Sequence, residues 1–156
     1  MMKKIVVLIA FTLTVLGGFA QDQDLDPRFA SYMIETERRT VFAQNMVLNQ
    51  EQGKVFWLIY SDFELELEGL RKQTIQNLKN YSEQYKKMSD EQADIIMKIM
   101  LENETKRASV RKKYYKKMVK ALGGKTATRF MQLDSIVSMM LKLSIYDELP
   151  LVGDHN

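Results

Sequence analysis

Along residues 50–86 the apolar and aromatic positions Phe56, Phe63, Leu67, Leu70, Leu78, Tyr81 and Tyr85 step mostly by threes, fours and sevens. That is the period of a helix with one stripe to bury. Ile95, Ile96, Ile99 and Met100 give the stretch from about Asp90 to Leu122 a similar apolar face in its first turns. A first helix is expected from Pro27, with proline at the first helical position. A fourth is expected from about Thr126 to Tyr146, where I-V-S-M-M-L-K-L-S-I-Y is apolar on more than one side. Such a helix is covered by neighbours or by a second chain. Between Pro27 and Pro150 only Gly53, Gly69, Gly123 and Gly124 interrupt the pattern, and Gly123-Gly124 reads as a helix stop. There is no convincing strand pair and no Asn-Gly or Asp-Gly hairpin turn. The expected fold is all-α, a long helical hairpin or small bundle of about four helices. The second helix, near 55 Å at about 1.5 Å per residue, makes it elongated.

Two short stretches share one pattern. Leu48-Asn49-Gln50-Glu51-Gln52 precedes the second helix, and Met88-Ser89-Asp90-Glu91-Gln92 precedes the third. A helix leaves its first N–H groups without partners. An Asn or Ser at the cap accepts from one of them, and a Gln three residues on returns a bond to the cap amide. Asn49 with Gln52 and Ser89 with Gln92 have that spacing. Leu48 and Met88 stand where an apolar residue can pack back on the first turn.

Composition narrows the class. The chain opens M-M-K-K, then an uncharged apolar run, then G-G-F-A and Q-D-Q-D. This reads as a signal peptide, residues 1–20, cleaved after Ala20. Residues 21–152 then form one exported domain, with 153–156 a C-terminal tail. The apolar run is shorter than the roughly 20 residues a span needs. No cysteine is present, so disulfides and thiolate metal sites are excluded. The formal charge of +3 falls to +1 without Lys3 and Lys4. Residues 21–104 hold 16 acids and 10 bases, against 4 acids and 11 bases in 105–156. That asymmetry can orient a partner or a second subunit. An exported chain is not expected to bind nucleic acid.

The L-N-Q-E-Q pattern followed by K-V-F-W-L-I-Y resembles the LTXXQ pattern of the Spy/CpxP group of bacterial periplasmic proteins. Leu48, Asn49 and Gln52 stand at its Leu, Thr and Gln positions, and Met88, Ser89 and Gln92 at a looser second copy. The resemblance covers roughly residues 40–125. It implies an extracytoplasmic helical protein, often a cradle-shaped dimer. Members act as ATP-independent chaperones, as envelope-stress modulators or as metal-responsive proteins.

The residues themselves separate these roles. The only histidine is His155, next to the C-terminus. Asp62, Glu64, Glu66 and Glu68 form two i,i+4 pairs and read as a solvated acidic face, since like charges at that spacing repel. The methionines read as core or adaptable surface. No metal site is expected, nor a cofactor or a small-molecule substrate. Without Cys, a placed His or a phosphate loop, no catalytic residue is expected and the chain does not read as an enzyme. Residues 106–120 carry eight bases and no acid. Lys112, Lys113, Tyr114, Tyr115, Lys116, Lys117 and Met118 fit either a protein-binding surface or a solvated basic face over core aromatics. Trp57 fits packing at a helix junction or the wall of a cradle. The expected partners are unfolded or envelope proteins and a second copy of the chain. Attraction to a membrane surface ranks below these. A regulatory partner of an envelope-stress signalling system and a purely structural coiled coil are the alternatives.

Overall fold

The computed structural model describes residues 27–146 and 149–153, with side chains from Thr36 onward except that of Ser144. The expected signal peptide and residues 154–156 of the expected tail lie outside the described residues. Four helices follow one another: α1 Pro27–Asn45, α2 Gln50–Gln84, α3 Asp90–Leu122 and α4 Gly124–Tyr146. The fold is all-α, with no strand among the described residues. A single 3-10 turn, Tyr85–Lys87, closes α2.

Both capping boxes form. Gln52 N donates to Asn49 Oδ1 at 2.9 Å, and Asn49 N donates to Gln52 Oε1 at 3.1 Å. Gln92 N donates to Ser89 Oγ at 3.2 Å, and Ser89 N to Gln92 Oε1 at 2.9 Å. Leu48 packs against the aromatic core. The fourth residue of α2 is Gly53, which has no side chain to meet it. α4 begins at Gly124, two residues before the expected Thr126, because Gly123 alone makes the turn. Its φ of +85° lies where a side chain is strained.

The helices run alternately up and down. Glu66 meets Lys113 and Asn77 meets Ile96 across α2 and α3. Glu104 meets Lys142 and Arg111 meets Ser135 across α3 and α4. Arg38 meets Asp134 and Asn45 meets Arg129 across α1 and α4. Near the Gly123 end the core is a stack of rings. Phe42 lies 5.4 Å from Phe130, Phe63 lies 5.2 Å from Phe130, and Phe63 lies 5.4 Å from Tyr114. Phe56 and Tyr60 complete it, with Met118 and Ala127 closing the gaps. Each buried Phe contributes about 1.5–3 kcal/mol through burial alone. The far end is thinner. Past the level of Tyr146 the α2–α3 hairpin continues, held by Asn77 donating to Ile96 O at 3.0 Å, and Tyr81 ties the segment after α4 to it by donating to Pro150 O at 2.6 Å.

Candidate functional site

Three features of the molecule can do more than hold the fold. The first is a charged layer directly above the ring stack. On α2, Glu64 follows Phe63 and sits one turn from Tyr60 and Leu67, so it shares their buried face. On α4, Asp134 stands between Phe130 and Val137 on the same stripe and is fully buried. Arg38 of α1 bridges the two carboxylates, at 2.8 Å from Asp134 and 3.3 Å from Glu64. Arg71 Nη1 lies 2.9 Å from Glu64 Oε2. Arg111 Nε lies 2.9 Å from Asp134 Oδ2, and Arg107 Nη2 lies 3.4 Å from its Oδ1. Ser138 accepts from Arg107 and Ser135 from Arg111. Four guanidiniums therefore share two carboxylates. Burial pulls the Arg38 pKa down, but Glu64 and Asp134 outweigh it and hold that group above its ordinary value. Arg107 goes the other way. Burial lowers it, Asp134 only partly compensates, and Arg38, Arg111 and Arg71 add to the fall.

The second feature is a cavity of about 140 Å³ between α2, α3 and α4, which opens beside that layer. The surface it presents is mostly apolar, from Leu, Ile and Met side chains among others, and Arg71, Asn103 and Arg107 line it too.

The third is a bare stripe on α4. Ile136, Met139, Met140 and Leu143 are 53%, 69%, 66% and 69% exposed. Their spacing of three, four and seven puts them on one face. Val137 faces inward, while Leu141 and Ile145 line the cavity. The expectation that α4 is apolar on more than one side therefore holds, and the described residues of this chain cover only one side.

The residues singled out from the sequence divide. Lys112, Lys113, Tyr115, Lys116 and Lys117 are exposed. Tyr114 and Met118 are not surface residues: they are 3% and 0% exposed and belong to the ring core. One helical turn separates them, and that face of α3 is turned to α2 and α4. Lys113 is occupied, 2.6 Å from Glu66. Tyr114 donates to the same carboxylate at 2.9 Å. These bonds, Lys113 first and then Tyr114, hold Glu66 below the usual carboxylate range. Burial, with the bond to Glu66, pushes the Tyr114 phenol up to about 12. Trp57 is half-buried against the core, edge-on to Phe56 at 5.0 Å, with the Arg39 guanidinium 4.5 Å above its ring. The reading of 62–68 as a solvated acidic face is overturned at Glu64, whose charge is buried because Arg38 of α1 and Arg71 of α2 itself are brought to it. Among the described residues no group of three or more His, Cys, Asp or Glu is placed to hold a metal ion. No described helix is long and apolar enough to cross a membrane.

No protein-family model, curated protein or solved structure matches this chain.

Proposed function

We propose that the protein is a non-catalytic, Spy/CpxP-like helical binding protein that holds apolar segments of unfolded or envelope polypeptides without ATP, outside the cytoplasm. The observation that carries this reading is the bare Ile136–Leu143 stripe on α4. An apolar face of this kind costs solubility, and it is retained where something binds to it. Two of its four residues are methionines, whose unbranched, polarizable side chains adapt to differently shaped partners. The exposed lysines of α3 add a long-range attraction for acidic clients that salt weakens.

A second copy of the chain is the competing occupant, and one experiment separates the two. Purified residues 21–156 are added without ATP to a chemically unfolded protein that aggregates on dilution, and light scattering is followed. Suppression is expected for the native chain, and loss of most of it for Met139→Glu with Leu143→Glu at an unchanged melting temperature. If the double variant turns a dimer into a monomer and suppression survives, the stripe belongs to the second copy. If the native chain suppresses nothing at several-fold excess, the binding function is rejected.

A further inference from the structure

The cavity between α2, α3 and α4 combines an apolar body with a cationic head. Leu70, Leu78, Met100 and Ile145 line the body. A cavity of roughly 150 Å³ by this measure holds a benzene-sized group, so about 140 Å³ takes several methylenes of a chain whose remainder lies in the open mouth. Glu104 and Lys142, also in the lining, neutralise each other at 2.6 Å.

The head is unbalanced. Arg71 and Arg107 both line the cavity and keep 23% and 25% of their side-chain surface. They belong to the layer in which four guanidiniums share the carboxylates of Glu64 and Asp134, so two positive charges are left without a counter-charge from it. Arg71 Nη1, although near Glu64, makes no hydrogen bond of normal geometry. A further observation concerns Asn103, which is 5% exposed and lines the same cavity. Its Nδ2 donates to Thr74 Oγ1 at 3.4 Å, and its buried Oδ1 has no partner. Turning the amide over does not help. Thr74 already donates its hydroxyl to Leu70 O at 2.8 Å, so its oxygen can only accept. A buried acceptor left unmade costs about 1–3 kcal/mol. The cavity therefore offers guanidiniums to an anion and an unpartnered acceptor at Asn103 to a donor.

We propose that this cavity binds an anionic amphiphile: a carboxylate on an acyl chain, with a hydroxyl or amide N–H beside the carboxylate. The guanidiniums take the carboxylate, Asn103 Oδ1 accepts the donor, and the apolar walls take the first carbons of the chain. This inference rests on the cavity alone and stands or falls apart from the client-binding stripe on α4.

The test is isothermal titration of the native chain with 3-hydroxydecanoate, decanoate, decanol and acetate. One site per chain is expected for 3-hydroxydecanoate, several-fold weaker binding for decanoate, and at least tenfold weaker binding for decanol and acetate. Arg107→Gln should weaken 3-hydroxydecanoate at least tenfold. Because Arg107 also supports Asp134, a second variant, Ile75→Trp, fills the body without touching the charges and should abolish binding with the fold intact by circular dichroism. Equal affinity for decanol, undiminished binding in Ile75→Trp, or no binding of 3-hydroxydecanoate would overturn the proposal.

Discussion

Asp134 has no exposed surface, yet arginines from two other helices reach it, Arg38 at 2.8 Å, Arg111 at 2.9 Å and Arg107 at 3.4 Å. Removing one partner of a buried ion pair strands the other charge in a medium that solvates it poorly. Asp134→Ala is expected to cost about 3–5 kcal/mol, read as a fall in the urea midpoint. Tyr114 sets a different limit. Its phenol binds its proton more tightly folded than unfolded, so its contribution is complete below about pH 10 and is lost as pH rises toward about 12. Burial also raises the Tyr60 phenol, which adds to this loss. Melting temperature should therefore fall above about pH 10, and Tyr114→Phe should make that fall shallower. The unusual residues were half legible in the sequence. Glu64 and Asp134 each interrupt an apolar stripe at helical spacing, and that is a visible sign. Arg71 lies within reach of Glu64 on its own helix, but Arg38, 26 positions from Glu64 and 96 from Asp134, is brought to both only by the docking of α1, which no local pattern encodes.

At the scale of elements, the repeated five-residue pattern is helix-start chemistry in both places, with all four bonds made. Asn49→Ala and Ser89→Ala should each lower stability by about 1 kcal/mol, and glycine at either site by only a few tenths. Thermal melts monitored by circular dichroism check both. Helix starts were readable because a cap is a local arrangement of three or four residues. Ends were less so. α2 stops at Gln84, ahead of the expected Lys86, and its chain tightens through Tyr85–Lys87, a closure governed by the path to α3. The division of the basic stretch in α3 was also hidden. Tyr114 and Met118 alternate with lysines in the sequence, and only the docking of α2 and α4 shows which of these residues turn inward.

For the whole molecule, the same ambiguity governs α4. Val137, Leu141 and Ile145 interleave with Ile136, Met140 and Leu143, so the sequence marks the helix as apolar on several sides without saying which side this chain covers. The uncovered side and the lysines of α3 together predict a salt response. Suppression of client aggregation should weaken between about 0.01 and 0.1 M salt, as the screening length falls from about 30 to about 10 Å. A flat salt response would assign the binding to the α4 stripe alone.

The turns between helices have a bearing on how the chain folds. Gly123 alone separates α3 from α4, residues 85–89 separate α2 from α3, and residues 46–49 separate α1 from α2. Closing such short links costs little chain entropy. Helices that neighbour one another in space are mostly neighbours in sequence, the condition for fast assembly among helical proteins. The exception is α1 on α4, where Arg38 reaches across 96 positions to Asp134. Helix α1 should therefore settle last, after α2, α3 and α4 have met. Its guanidinium is neutralised only in the register that places it between both carboxylates, and sliding by one turn would leave it among rings. Rapid collapse and the choice of a single final register then belong to different parts of the chain, with one arginine on the last helix to dock acting as the latch.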